Sequence, residues 1–312
     1  MKILLAIDGS ETAQAAVKCL MRFPFPSESE VTVLTVVDKT IFQREDVSDL
    51  NDEQQHALKK TESSVQQAAE ELLAREAGRL RDAGWSESSE LRVGHPAEEI
   101  VRAAGQLQTD CIVVGSHGMG GIKRFLLGSV SDHVLQYAPC SVLIVKKPGF
   151  TAPESDTQPA AAAGCEPGGS LRMLLAYDDS GPSRNAVEFC TSLPLDKQAE
   201  VTALTVLPMV TLYRQDIRQQ LSWLWQEKKK QARTTLDKVA KDLARVTPNV
   251  EVHLREAADV SDEILHAAKE DGSDLIVLGH KGKGAIKKFL LGSVTMRIAH
   301  HADCSVLAIR QK

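Results

Sequence analysis

The chain has 312 residues, 43% of them hydrophobic and 25% charged, and a formal net charge of −5 at pH 7. That is the composition of an ordinary soluble globular protein long enough for two cores, and it argues against a nucleic-acid binder working by bulk positive charge and against a polybasic membrane anchor. The six cysteines form no C-x-x-C pair and have no histidine at ligand spacing, which argues against a zinc site or disulfide framework and for a reduced, cytoplasmic compartment.

The opening "MKILLAIDGS" carries one lysine and a short apolar run ahead of an acid, so it reads as a first strand and not as a signal peptide. Its continuous apolar stretch is what a parallel strand covered on both faces requires. Ser10 can then cap a helix running through Leu20. "VTVLTVV" (31–37) is a second, β-branched strand. After a long polar stretch a helix is expected from about Glu53 to Asp82, where Ala and Leu recur at helical spacing. "SELRVG" (89–94) is a short third strand, Ala97 to Leu107 a helix, and "CIVVG" (111–115) the fourth strand. A helix from Ser129 stops at Tyr137, before Pro139, and "SVLIVK" (141–146) is the fifth strand. No apolar segment reaches the length of a membrane span.

The chain then repeats itself. "MKILLAIDGSETAQAAV" aligns with "LRMLLAYDDSGPSRNAV" from Leu171, taking Asp8 to Asp178, and "EVTVLTVV" from Glu30 falls on "EVTALTVL" from Glu200. "GSHGMGGIKRFLLGSV" from Gly115 falls on "GHKGKGAIKKFLLGSV" from Gly279, and "CSVLIVK" at Cys140 on "CSVLAIR" at Cys304. Two homologous domains are therefore expected, at 1–147 and 171–312. The segment 148–170, rich in Pro, Ala, Gly and Ser, would be a flexible tether between them. Strand–helix alternation with buried strands predicts an α/β fold: two doubly wound, parallel, five-stranded sheets, each in the order 3-2-1-4-5.

In that order the sheet reverses between strands 1 and 4, and ligands of such sheets bind beyond the carboxyl ends of the strands at the reversal. Asp8 ends strand 1 and the Gly115 loop follows strand 4, so the repeated features converge on one crevice per domain. Glycines let backbone amides approach an anion, and the amides of Val130 and Ser131 would open the next helix, with Ser129 as its cap. A helix N-terminus with free N–H groups is a ready phosphate site. The spacing fits neither a Walker A loop nor the G-x-G-x-x-G that follows a first strand.

The spaced G-x2-G-x9-G-S after the fourth strand, the Asp ending the first and the last strand opening in C-S-V-L together resemble the universal stress protein family, in its nucleotide-binding branch. The resemblance covers both domains and leaves out the tether. It implies a fold like that of the adenine-nucleotide α-hydrolases and a ligand that is ATP or a related adenine nucleotide, with or without Mg²⁺. Asp8 and Asp178 would face the ribose or adenine, and Val36 and Val206 would offer backbone groups to adenine. Gly115, Gly118, Gly128, Ser129, Val130 and Ser131 would cradle phosphates in the first copy. Gly279, Gly282, Gly292, Ser293, Val294 and Thr295 would do so in the second. Gly94 and Pro96 match the family's turn beside the nucleotide, where the second copy has Ala258, Asp259 and Val260. The resemblance also implies pairing through the last strand, which a tandem chain would satisfy internally as a pseudo-dimer, with a homodimer as a further possibility.

The function implied is that of a stress-response regulator whose nucleotide occupancy biases conformation or partner choice. The alternative is a slow ATPase or nucleotidyl-transfer enzyme on the same fold. Against the enzyme, the duplicated positions supply one aspartate and backbone amides, with no catalytic residue kept in both copies. The copies also differ: Asp179 replaces Gly9, and Lys281 and Lys283 replace His117 and Met119, so the first site is the better candidate. Lys123, Arg124, Lys287 and Lys288 would lend positive potential or form a solvated face. His117 and His133 read as solvated, the pair at 300–301 as no metal site, and Trp223 and Trp225 as core or interface packing.

Overall fold

The computed structural model describes residues 1–38, 51–118, 127–146, 171–195, 197, 199–209, 215–282 and 291–310; the tether and the four basic residues at 123, 124, 287 and 288 lie outside them. The chain divides into two compact units, Met1–Lys147 and Pro148–Gln311.

In the first unit the elements are β1 (Lys2–Ala6), α1 (Glu11–Arg22), β2 (Glu30–Asp38), α2 (Asp52–Asp82), β3 (Ser86–Gly94), α3 (Pro96–Gln106), β4 (Cys111–Gly115), α4 (Ser129–Tyr137) and β5 (Ser141–Val145). All pairings are parallel: β3 on β2, β2 on β1, β1 on β4 and β4 on β5, the expected order. The second unit repeats this with β6 (Arg172–Ala176), α5 (Gly181–Ser192), β7 (Glu200–Pro208), α6 (Gln215–Leu243), β8 (Asn249–Ala257), α7 (Val260–Glu270), β9 (Leu275–Gly279), α8 (Ser293–His301) and β10 (Ser305–Ile309). There β8, β7, β6, β9 and β10 pair in the matching order. Right-handed crossovers place α1 and α2 on one face and α3 and α4 on the other, and each pair is in contact. Neighbouring Leu4 and Leu5 point to opposite faces of β1, and both are 0% exposed. The sheet is therefore covered on both sides, which is why its central strands read as unbroken apolar runs.

Several boundaries differ from expectation, each for a local reason. β3 starts at Ser86, three residues earlier than the apolar pattern suggests; Ser86 and Ser88 are polar because this is an edge strand, yet they pair with Glu30 and Thr32. α1 runs on to Arg22. α2 starts at Asp52 because Asn51 and Gln54 form a reciprocal capping box, Asn51 Oδ1 accepting from the Gln54 amide at 2.8 Å. α3 opens with Pro96 at its first turn, where a missing N–H costs nothing. Register also corrects the alignment of the halves. Gly94 pairs with Asp38 and Ala257 with Pro208, so Gly94 corresponds to Ala257, and Ala258 is an extra residue ahead of α7. The cysteines at 19, 111, 140 and 190 are buried, in keeping with small apolar core residues, and burial pushes the Cys190 thiol up to about 12.

Candidate functional site

Asp8 stands just past β1. Its Oδ1 accepts from the Ser10 amide at 2.9 Å, and Ser10 in turn caps α1 by accepting from the Ala13 amide at 3.1 Å. Two amides at the start of α1 are thus taken by side chains just ahead of the helix. The other carboxylate oxygen faces the loop after β4, since a Cβ built on Gly118 would lie 2.8 Å from Asp8 Oδ2.

That loop is stitched to its surroundings through backbone groups. The Ser116 amide donates to Val145 O at 2.9 Å and the Gly128 amide to Ser116 O at 2.8 Å. Ser131 Oγ donates to Gly115 O at 2.6 Å, and Thr12 Oγ1 donates to His117 O. His117 is therefore anchored beside α1, and its Nδ1 lies 3.1 Å from Ser116 Oγ; it is not a freely solvated loop histidine. The glycine at 115 has a different reason from the one its motif suggests. A Cβ there would meet Thr12 Oγ1 at 2.5 Å and the Thr12 carbonyl carbon at 2.7 Å, so the residue makes room for the first turn of α1.

The capping expectation for Ser129 is overturned. Gly128 occupies the N-cap position with φ −63° and ψ 150°, Ser129 is the first helical residue, and no side chain caps α4. Among the described residues no side chain caps the amides at its start, and its dipole favours an anion in front of them.

A cavity of about 500 Å³ opens at the carboxyl ends of the strands, within the usual size range of small-molecule sites. Of the residues singled out in the first half, Asp8, Val36, Pro96, Gly115, Gly118, Val130 and Ser131 line it. Gly94, Gly128 and Ser129 are not part of its wall, and a Cβ on Gly94 would instead meet Glu99 Oε1 at 2.8 Å. The sequence reading missed most of the apolar lining of the cavity: Val65, Ala68, Ala69 and Leu72 of α2 and Ile100 of α3. Their spacing along α2 is a one-face helical stripe, a signal present in the sequence but shared with any core-facing helix. Among the described residues no group of three or more His, Cys, Asp or Glu is placed to hold a metal ion.

The second unit repeats the frame. Asp178 Oδ1 accepts from the Ser180 amide at 3.0 Å, and a Cβ on Gly282 would lie 2.9 Å from Asp178 Oδ2. The Gly292 amide donates to His280 O at 2.8 Å, Thr295 Oγ1 donates to Gly279 O at 2.9 Å, and α8 too has glycine at its N-cap with no side-chain cap, leaving Ser293 and Val294 in its first turn. Val206 holds the place of Val36 and is buried.

Its differences are concrete. Tyr177 replaces the cavity-lining Ile7, and its hydroxyl donates to Asp179 Oδ1 at 3.0 Å. Burial first, then Asp179, push that phenol up to about 12. Asp179 adopts φ +59° where Gly9 has +84°, and Arg184 holds it through its carbonyl and carboxylate. Asp259 caps α7 and receives Arg297 Nη1 at 2.6 Å, while Arg297 Nη2 reaches Asp262 at 2.8 Å, so the N-terminus of α7 is tied to α8. The corresponding cap of α3, His95, makes no side-chain cap bond. Trp223 and Trp225 are not core residues: Trp223 is 68% exposed, and Trp225 Nε1 donates to Glu256 on β8 at 2.9 Å.

His280 carries a pH dependence. Desolvation, with Arg310 and Lys281 adding repulsion, pushes its imidazole down to about 4, against the opposing bond to Ile309 O. The unfolded chain takes up this proton near 6.5, so folding excludes a proton between those values. The contribution to stability is complete above pH 6.5 and is lost as the pH falls through about 4. Unfolding of the wild type and of His280→Gln across that range is expected to show a steeper acid loss in the wild type. Equal slopes would contradict it.

The sequence model of the universal stress protein family matches residues 1–146 and 170–310. A universal stress protein of Mycolicibacterium smegmatis is 26% identical over 318 residues, covering 99% of this chain and 97% of its own length. Universal stress protein MJ0577 of Methanocaldococcus jannaschii is 32% identical over 153 residues, 47% of this chain and 94% of its own. Among solved structures, a universal stress protein from Archaeoglobus fulgidus superposes with a TM-score of 0.61 at 22% identity, over 99% of this chain and 96% of that one.

Proposed function

Because this chain belongs to the universal stress protein family, we propose that its first unit binds ATP or a related adenine nucleotide and that occupancy biases its conformation or its choice of partner. The observation that carries this reading is one cavity joining two chemistries. An apolar wall from α2 and β2, wide enough for a base, leads to Asp8 and then to the amides at the start of α4. Val36 and the α2 stripe would hold the base, Asp8 would accept from ribose hydroxyls, and the amides at 118 and 129–131 would meet the phosphates.

In the second unit Asp178, Val206, Gly279, Gly282, Gly292, Ser293, Val294 and Thr295 would serve the same ligand. Binding there is expected to be weaker, because Tyr177 and the Arg297 tie change the walls. Pairing of the units through their last strands, any homodimer and a cytoplasmic setting belong to the same proposal; no described helix is long and apolar enough to cross a membrane.

The test is to denature gently purified protein and identify the released small molecule by mass spectrometry, then to titrate emptied protein with ATP, with and without Mg²⁺. An adenine nucleotide in the released fraction and saturable rebinding are expected. Neither release nor binding at millimolar ATP would overturn the reading, and turnover at ordinary kinase rates, roughly 1–100 per second, would contradict a regulator.

A further inference from the structure

The two halves share a frame, but the long helix beside each crevice differs in character. Strand register aligns them without a gap: Ser86 pairs with Glu30 as Asn249 does with Glu200, and Gly94 with Asp38 as Ala257 does with Pro208. The same offset, carried back into the helices, sets the buried Leu73 and Leu80 of α2 on the buried Leu236 and Leu243 of α6. The cavity-lining Val65, Ala68 and Leu72 then fall on Lys228, Gln231 and Thr235, and Ala69 alone is kept, as Ala232. Lys228 and Gln231 are exposed, and the Thr235 hydroxyl donates to Gln231 O at 2.9 Å. An apolar stripe has become a polar, cationic one.

The opposite rim changes with it. Leu72 packs over Gly9, where an added Cβ would meet Leu72 Cδ2 at 3.5 Å. The matching place in the second unit is taken by Asp179, held by the Tyr177 hydroxyl and by Arg184. Asp38, at the wall of the first cavity, gives way to Pro208, and His117 to Lys281. A purine ring gains affinity from apolar surface removed from water, which the α2 stripe supplies and its counterpart on α6 does not. The phosphate end is kept: glycine stands at the N-cap of both α4 and α8, and the Gly128 and Gly292 amides grip Ser116 O and His280 O, each at 2.8 Å. Lys228 and Lys281 add positive charge to the second crevice.

We propose that base selection is confined to the first unit, where the α2 stripe supplies it, and that the second unit holds the phosphate chain of a nucleotide whatever base it carries. Lys228, Gln231 and Thr235 are the residues that remove the preference. The inference rests on the nucleotide reading above.

Full-chain Gly292→Val and Gly128→Val, which silence the second and first units in turn, are titrated with ATP, CTP and inorganic triphosphate. With the first unit alone, ATP is expected to bind about tenfold tighter than the other two; with the second unit alone, all three should agree within about threefold. In the wild type, a readout independent of either glycine variant, triphosphate at a concentration equal to ATP should compete at one class of site only. Lys228→Val, Gln231→Ala and Thr235→Leu together should raise the ATP-over-triphosphate preference of the second unit about tenfold, and Leu72→Thr should lower that of the first about fourfold. A second unit as selective for ATP as the first would overturn the inference, as would a preference unmoved by the triple exchange, or a second unit that binds neither ATP nor triphosphate. ATP bound by neither unit is a separate result: it removes the nucleotide reading and this inference with it.

Discussion

Gly115→Ala is expected to destabilise the first unit by about 3 kcal/mol, the upper part of the range for overpacking, and to lower its melting temperature by roughly 6–12 °C. One methyl group suffices because the clash is with backbone. A Cβ at this position would stand 2.7 Å from the Thr12 carbonyl carbon and 2.9 Å from the Ala13 amide nitrogen, neither of which can rotate away. Nor can β4 retreat, since it is held between β1 and β5. Gly279→Ala should behave alike, its Cβ meeting the Pro182 backbone at 2.6 Å. Two controls separate this from a general glycine effect. At Gly118 the added Cβ meets only the end of the Asp8 side chain, so Gly118→Ala should cost little stability. At Gly78, inside α2 with nothing within 4 Å, alanine should stabilise by about 1 kcal/mol. Thermal and urea unfolding of the four variants decide the matter. A Gly115→Ala protein melting within a degree or two of the wild type would show that α1 is not pressed against β4 as described.

That prediction also shows how far the sequence is legible. The spacing of Gly115 and Gly279 marked both positions, but for another reason, because a motif records that a Cβ is excluded and not what excludes it. Helix α1 presses on Gly115 from a hundred residues away in sequence. β1 and β4 were legible because burial on both faces leaves unbroken apolar runs. The first half of β3 was not, because an edge strand keeps its serines in water. The cap of α4 turned on a shift of one residue, from Ser129 to Gly128, which no local preference decides when both residue types cap well. The wall from Val65 to Leu72 was written in the sequence as an ordinary amphipathic face; only its neighbours make it the side of a cavity.

Gly128→Val is expected to lower nucleotide affinity of the first unit by two orders of magnitude or more while leaving the second unit unaffected. Valine is sterically acceptable to the backbone here, since φ −63° and ψ 150° belong to the extended region. What it crowds is the loop: its Cβ would lie 3.2 Å from His117 Cα and 3.2 Å from Ser116 O, the carbonyl that the Gly128 amide grips at 2.8 Å. Relief requires the start of α4 to move away from Ser116 and His117, and that separates the helix amides from Asp8 and Gly118 across the cavity. In the proposed site several charge-assisted hydrogen bonds to phosphate would depend on that alignment. Each is worth about 1.5–3 kcal/mol, so the loss of two exceeds a hundredfold. The helix itself keeps its own hydrogen bonds, and the melting temperature should fall far less than in Gly115→Ala. Gly292→Val, with the same 3.2 Å approach to Lys281 Cα, reports on the second unit alone. Titration of both variants with ATP, alongside calorimetric stoichiometry, separates the units. Full affinity retained by Gly128→Val in a correctly folded protein would mean that the phosphates, if bound at all, are held elsewhere than at the start of α4.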